Sequence, residues 1–411
     1  MNYRVREDCR LCTSPRLTKV LELPPTPLAN EFPTKPNVEQ EKFPLWLAAC
    51  GDCGHVQLPV VVDPERLFRD YVYVSGTSKV FVEHFRKYAY DLVAKHMAPG
   101  DLVVEVGSND GTMLRFFKDA GMRVTGVDPA VALAARATEA GLHTVGEFFT
   151  AATAQKILDL RGPAKVVVAN NVFAHADDLR SIALAVKSLL DEDGAFVFEV
   201  SYLADVLNKT LFDTIYHEHL AFHSVEPLVG FFRKLDMSLV DARRVDTHGG
   251  SIRVTVSPQA DRLPSLSAAA LIAEERALGL GTKPARAFDA FTKAILDRRD
   301  ELLRLLRGAK MGGKRIAAYG APAKATTLLH TFGLEDGMLD FVVDDSQHKQ
   351  GRYMPGTDIP VLPSAAIGDR RPDYVLLLAW NFADSILEKL APYRAAGGKC
   401  IVPLPNVRVI D

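Results

Sequence analysis

No stretch of this 411-residue chain approaches the run of about 18 apolar residues that crosses a bilayer, so no membrane partner is expected. An excess of one charge is missing too. Lys and Arg number 49 against 51 Asp and Glu, which argues against recognising nucleic acid or a membrane surface through bulk charge. The N-terminal MNYRVREDCRLC has no apolar core of a signal peptide, and we expect a cytoplasmic protein. Cysteine is scarce, five in all, and in a reducing compartment these are metal ligands or buried thiols rather than disulfides. Repeats and low-complexity tracts are absent. The length exceeds what one core serves, so two or three domains are expected.

Four of the cysteines form two pairs, Cys9-x-x-Cys12 and Cys50-x-x-Cys53. Each pair is a tight knuckle that brings two thiolates to one tetrahedral ion, and the set predicts a structural zinc site. Four thiolates leave no open position, so this metal should stabilise the fold and do no chemistry. Pro24, Pro25 and Pro27 suggest an irregular loop between the pairs. Cys400, in the strand-like KCIVPLP, is expected in the core.

Beyond a helix expected over 80–97, strands and helices alternate. DLVVEVGSND, MRVTGVDPA, AKVVVANNVF and GAFVFEVS read as strands separated by helical stretches, the signature of a parallel sheet covered on both faces. The alternation resumes behind a long amphipathic helix over 285–307, with KRIAAYG, LDFVVDD, DYVLLLAW and KCIVPLP as further strands. The fold class is therefore α/β in three parts: a zinc-binding module over 1–75, a Rossmann-like domain over 76–257 and a second Rossmann-like domain over 258–411.

The first strand-to-helix turn reads Glu105-Val-Gly107-Ser-Asn109-Asp110-Gly111. A dinucleotide site would want G-x-G-x-x-G there, because pyrophosphate must sit on the helix N–H groups. This turn has only G-x-x-x-G, and its acids repel phosphate but suit a cationic sulfonium. Asp128 closes the second strand, placed to accept from ribose hydroxyls, and Asn170 and Asn171 end the third beside the same crevice. S-adenosylmethionine is the expected ligand. The alternative is an NAD(P)-dependent oxidoreductase acting on a nucleotide sugar.

With these motifs the chain resembles the sugar C-methyltransferases that act on nucleotide-linked keto-deoxysugars. The resemblance runs from the CxxC pairs through YVYVSGTS, EVGSNDG, IYHEH and THGGSIRV to YGAPAKATTLL and GRYMPGTDIPV. It implies a zinc-binding N-terminal domain, a central methyl-donor domain and a C-terminal domain that helps hold a nucleotide sugar. The sugar's handle is expected to be thymidine diphosphate (dTDP). The reaction implied is methylation of a ring carbon beside a 4-ketone, with C3 preferred and C5 also adjacent. We expect a monomer or weak homodimer.

Carbon methylation needs a base to form an enolate, a donor to the developing oxyanion and alignment of two substrates. DTIYHEHLAFHS, residues 213–224, is where the base belongs. As an extended segment it would put His217 and His219 on one face and Tyr216 and Glu218 on the other. The resemblance matches Tyr216, Glu218 and His219 to active-site positions. His219 is assigned as base, its ordinary pKa lying near working pH; Glu218 either orients and charges it or is itself the base. Tyr216 and His175 are candidates to bond the sugar's ketone or hydroxyls. A metal at HEHLAFH is disfavoured, since the order H-E-x-x-H is absent. Either Tyr71 or Tyr73 is expected to line the sugar pocket. His248 lies in a glycine-rich THGG turn that suggests close backbone approach to a ligand or a plain hairpin. Tyr319 and Lys324 open a helix suited to a base stack and a diphosphate cradle, respectively.

Overall fold

The computed structural model describes residues 2–69, 74–77, 79–281, 285–334 and 337–411; Tyr71 and Tyr73 lie outside them. The N-terminal part contains β1 (Tyr3–Val5), β2 (Leu17–Thr26), β3 (Phe43–Cys50), β4 (Val56–Gln57) and β5 (Val60–Val62). β2 and β3 form an antiparallel hairpin, so the gap between the cysteine pairs is only partly loop. Pro24 and Pro25 sit inside β2, where the register with β3 slips between Leu23 and Thr26. β2 is the edge strand of its sheet, and an edge proline interrupts no second ladder.

The central part contains β6 (Leu102–Val106), β7 (Arg123–Val127), β8 (Thr144–Val145), β9 (Ala164–Asn170) and β10 (Leu190–Ser201), then β11 (Ala221–Phe222), β12 (Ser238–Val245) and β13 (Ser251–Ser257). Its seven-stranded sheet runs β12-β13-β10-β9-β6-β7-β8, with β6 to β10 parallel and β13 antiparallel to both neighbours. The strands read as unbroken apolar runs because both faces are buried. Val103, Val166, Val168 and Val197 face the helices Lys79–His96 and Thr112–Asp119; the alternate residues Val104, Val167, Phe196 and Phe198 join the main core on the other side. The chain winds outward from β6 through β7 to β8, then returns to β9. That reversal opens a crevice at the carboxyl ends of β6 and β9, where sheets of this kind take ligands.

The C-terminal sheet repeats the plan with β14 (Ile316–Tyr319), β15 (Val342–Val343), β16 (Val361–Leu362), β17 (Tyr374–Leu377), β18 (Lys399–Val402) and β19 (Arg408–Ile410), ordered β16-β15-β14-β17-β18-β19. Its reversal lies between β14 and β17. Cys400 is buried in β18. Between the sheets, the helix Ala285–Met311 buries Phe288, Phe291, Ile295, Leu302 and Leu306, each worth about 1.5–3 kcal/mol. The helix Leu266–Ala277, past the expected boundary at 257/258, is fastened to the central part: the Glu275 carboxylate accepts the N–H groups of Val225 and Glu226 and the Tyr202 hydroxyl.

Three contacts lock the parts around one place. β11 pairs antiparallel with β4, so the segment holding the histidine cluster completes the N-terminal sheet. The Thr327 hydroxyl, on helix Ala323–Phe332, donates to the Ile215 carbonyl at 2.8 Å. Asp177, just past His175, is gripped by the buried Arg10 at 2.9 Å and by Arg6 at 3.3 Å. Among the described residues no helix is long and apolar enough to cross a membrane.

Candidate active site and cysteine knuckle

The four cysteine sulfurs lie within 4.8 Å of one another. Cys9 Sγ is 3.6 Å from Cys53 Sγ, and Cys12 Sγ is 3.5 Å from Cys50 Sγ. These are far too long for disulfides. They match the edges of a tetrahedron built on Zn–S bonds of about 2.3 Å, roughly 3.8 Å. Both knuckles close by backbone turns, Thr13 N–H to Cys9 O and Gly54 N–H to Cys50 O. Gly54 has φ 77° and its Cα abuts the Gly281 backbone, where a Cβ would come within 2.5 Å of the carbonyl oxygen. The Cys9 thiol is lowered to about 5 by its Cys53 neighbour, and Cys53 is pushed up by the same contact. Four thiolates packed this closely need a cation between them, so the donor set fits zinc.

At the first crevice, Gly107 has φ 71° and a Cβ there would strike Val172 at 2.3 Å, so only glycine makes the turn. Asp128 Oδ2 accepts the Asn109 N–H at 2.8 Å and Oδ1 the Ala130 N–H at 2.9 Å, which aims the carboxylate across the turn with lone pairs to spare. Burial raises it despite those two bonds. Glu105 is buried deeper and raised well above the ordinary carboxylate value by desolvation. Its Oε2, Ser108 Oγ and Asn170 Oδ1 are all buried without a hydrogen-bond partner. A group of unspent oxygens around a glycine turn fits a ligand bearing an ammonium and hydroxyls, as the amino-acid tail and ribose of S-adenosylmethionine do. Asp110 is spent differently. It accepts from Gly76 N–H at 3.0 Å and from Thr112 at 3.2 and 2.7 Å, so the expected pairing of this acid with a sulfonium gives way to a local cap. Asp128→Asn should weaken donor affinity about tenfold, the scale of one hydrogen bond to a charged group, read by titration calorimetry.

The histidine cluster is a turn, not a strand. His219 N–H donates to Tyr216 O at 2.9 Å, and this reverses the expected faces. His217 points into the N-terminal module, its Nε2 3.2 Å from Pro44 O and its ring against Phe43. His219 turns instead to Tyr216, with ring centroids 4.1 Å apart, and to His175 at 5.0 Å. His175 stacks in turn on Phe68 at 5.6 Å. His223 is core, packed between His55 and Phe173. His219 Nδ1 lies 2.6 Å from the Thr214 carbonyl, an oxygen that can only accept. Nδ1 therefore carries the proton and Nε2 is left with a free lone pair. Burial lowers His219 to about 4, so the ring is neutral at working pH. A backbone carbonyl thus orients His219.

Glu218 is held from another part of the chain. Its Oε1 accepts the Asn30 side-chain N–H at 2.6 Å. Asn30 follows β2 in the N-terminal module, and no motif marked it; its one signal is an amide set among the buried Leu28, Ala29 and Phe32. Asn30→Ala should lower kcat about tenfold and leave donor affinity unchanged, measured by steady-state kinetics and calorimetry. His248 sits in the turn of the β12–β13 hairpin at φ 52°, its Nε2 3.2 Å from Asn171 Nδ2 and its ring 4.6 Å from Phe81. THGG is therefore a hairpin turn, and it brings His248 to Asn171 at the crevice. A buried ion pair unread in the sequence backs this wall, with Glu199 accepting Arg253 Nε at 2.6 Å and 2.7 Å from His84 Nε2.

At the second crevice, Gly320 has φ 90° and nearly touches Ala379, so the turns after β14 and β17 meet. Tyr319 is 4% exposed, and its hydroxyl donates to Asp345 at 3.0 Å. As an inward position of β14 it presents no open ring face, and the expected base stack does not fall to it. Lys324 is buried beside Trp380 and Asp213.

Three family models match in sequence along the chain: a zinc binding domain over 9–68, a methyltransferase domain over 81–241 and a C-methyltransferase C-terminal domain over 246–405. The C-methyltransferase NovU of Streptomyces niveus is 37% identical over 98% of this chain and 97% of its own length. Among solved structures, magnesium protoporphyrin IX methyltransferase of Synechocystis PCC 6803 aligns with 47% of this chain and 99% of its own at 16% identity and a TM-score of 0.36. The PH0226 protein of Pyrococcus horikoshii aligns with 48% and 98%, at 15% identity and a TM-score of 0.37.

Proposed function

This chain belongs to the C-methyltransferase family, and we propose that its acceptor is a nucleotide-linked 4-keto-6-deoxysugar methylated beside the ketone through an enolate. The methyl donor is S-adenosylmethionine, and the four cysteines hold a structural zinc ion. The nicotinamide alternative is set aside with the family assignment. One observation carries the proposal: a neutral histidine, His219, is fixed through Nδ1 with Nε2 free, between Tyr216 and His175.

Bound at the β6–β9 crevice, the donor supplies an electrophilic methyl group. The chain's own residues do the rest. Glu105 and Asn170 receive the donor's amino-acid end, and Asp128 its ribose hydroxyls. His219 Nε2 removes the proton from the carbon beside the ketone, and Tyr216 and His175 order the neighbouring sugar oxygens. Glu218, braced by Asn30, sets the charge of the pocket wall. Thymidine diphosphate as handle, C3 as the methylated carbon and a cytoplasmic setting are part of the same proposal. A panel of nucleotide-linked keto-sugars incubated with labelled methyl donor, with products read by mass and NMR, tests it. Label on a ring carbon adjacent to the ketone is expected; label on oxygen or nitrogen, or none, overturns it.

A further inference from the structure

A buried ammonium stands at the second crevice with its donors unspent. Lys324 lies in the first turn of helix Ala323–Phe332, with a side chain only 11% exposed. Its Nζ sits 3.7 Å from the centroid of the Trp380 ring. Asp213 Oδ2 is 3.8 Å away, beyond hydrogen-bond reach, and no described residue offers Nζ an acceptor. That same oxygen already accepts the Trp380 indole N–H at 2.6 Å. An ion pair without a hydrogen bond and a cation over a ring hold the amine in place, and they leave its three N–H groups for something absent. A buried ammonium in that state is costly unless a ligand completes it.

Where the amine faces selects the ligand. Asp213 immediately precedes Thr214, whose carbonyl holds His219. Lys324 packs on the Trp380 ring, and that ring lies against Gly249, the residue after His248, so the amine stands beside the His248 turn. Desolvation lowers Lys324 itself to about 8, which leaves it mostly charged at neutral pH. A diphosphate at this helix start is opposed by Asp344, whose Oδ2 occupies the Ala321 N–H at 2.6 Å. Lys349, the neighbouring cation, already donates to the Ala321 carbonyl at 2.8 Å. A single oxygen that gains charge during the reaction suits Lys324 better than a diphosphate does.

Resting on the proposed keto-sugar reaction, we infer that Lys324 is its electrophile: the ammonium donates to the acceptor's ketone oxygen and holds the charge that develops there. His219 Nε2 takes the α-proton, the C–H electrons become the new C=C bond, and the carbonyl π pair moves onto the oxygen facing Lys324. The carbon then forms its bond to the methyl group as the sulfur–carbon bond breaks. The carbonyl re-forms, the sulfur leaves as a neutral thioether, and His219 returns its proton to solvent. Asp213, fixed by Trp380, is a positioning residue that keeps the amine charged.

Lys324→Met keeps the apolar stem over Trp380 and removes the charge; Lys324→Arg restores a cation. The probes are thymidine-diphosphate 4-keto-6-deoxysugars in deuterium oxide, with S-adenosylhomocysteine filling the donor site, and exchange at the α-carbon is followed by NMR. At saturating sugar the Met variant should exchange and methylate about 100-fold more slowly than wild type, the scale of one lost oxyanion donor, with KM for the sugar within about threefold. Arg should recover part of the rate. A KM raised tenfold or more with saturated rates intact would make Lys324 a diphosphate ligand and overturn the inference. If the Met variant does not fold, the same split is read from Lys324→Gln. Wild-type protein that binds donor but exchanges no α-hydrogen in any keto-sugar defeats the keto-sugar reading itself, an outcome distinct from a fault in Lys324 alone.

Discussion

His219→Asn should slow methyl transfer about 1,000-fold, within the range for loss of a positioned acid–base group, while donor affinity stays within about twofold. The substitution is chosen for what it preserves. An asparagine amide can still donate to the Thr214 carbonyl that now holds Nδ1 at 2.6 Å, so the turn should keep its shape. What disappears is the lone pair on Nε2. Donor affinity should not follow, because Asp128 follows β7 and Glu105 lies near the end of β6, and neither shares a hydrogen bond with His219. His217→Asn is the matched control. That ring meets Phe43 and Pro44 inside the N-terminal module, so its loss should lower thermal stability and spare kcat at equal folded protein. Single-turnover kinetics with calorimetry on both variants separates the two effects. Full turnover in His219→Asn would pass the base role to Glu218.

The same enzyme should carry an unusually low acid limit on its base. Burial lowers His219 to about 4, so the active, neutral ring persists as pH falls and is lost only near that value, not near the ordinary histidine pKa. Imidazole nitrogen chemical shifts at pH 6 should report a neutral ring protonated at Nδ1. A doubly protonated ring there would contradict the geometry at Thr214.

Much of this was legible along the chain because the central strands are apolar runs ended by glycine or an acid. The turn at Gly107 and the acid at Asp128 announce the crevice for the same reason: a buried parallel strand must stop where a ligand is to be met. The cysteine pairs are equally plain, since knuckle spacing is a local property. What failed was orientation. Tyr216 to His219 look like a strand by alternation, and only the Tyr216–His219 turn separates His217 from the site. Asn30 and the Asp213–Trp380 bond are contacts between residues far apart in sequence, and no local period encodes them. Pro24 and Pro25 disguised β2 because a proline breaks a central strand but not an edge. Lys324 was visible as a cation at a helix start. Its burial against Trp380 and Asp213 belongs to the packing of two domains.

Loss of the zinc ion should abolish turnover without emptying the donor site. Cys50→Ser replaces a thiolate with a hydroxyl that does not ionise, and a site of this kind contributes about 10–16 kcal/mol when filled in small zinc peptides. Metal analysis should fall from about one zinc per chain towards none, and methyl transfer to below about 1% of wild type. The chain of cause is structural. Cys50 ends β3 and the knuckle leads into β4, which pairs with β11 beside His219. The same module supplies Asn30 to Glu218, the Pro44 carbonyl to His217, and Arg6 and Arg10 to Asp177 beside His175. When the knuckle opens, the wall behind three proposed active-site residues loses its anchor. The donor crevice rests on β6, β7 and β9, none of which pairs with the N-terminal sheets, so calorimetry should still find S-adenosylmethionine bound within a few-fold of wild type. Zinc-free protein with full turnover would mean that the module merely adjoins the reaction; zinc-free protein that has also lost the donor would mean that the two parts fold as one unit.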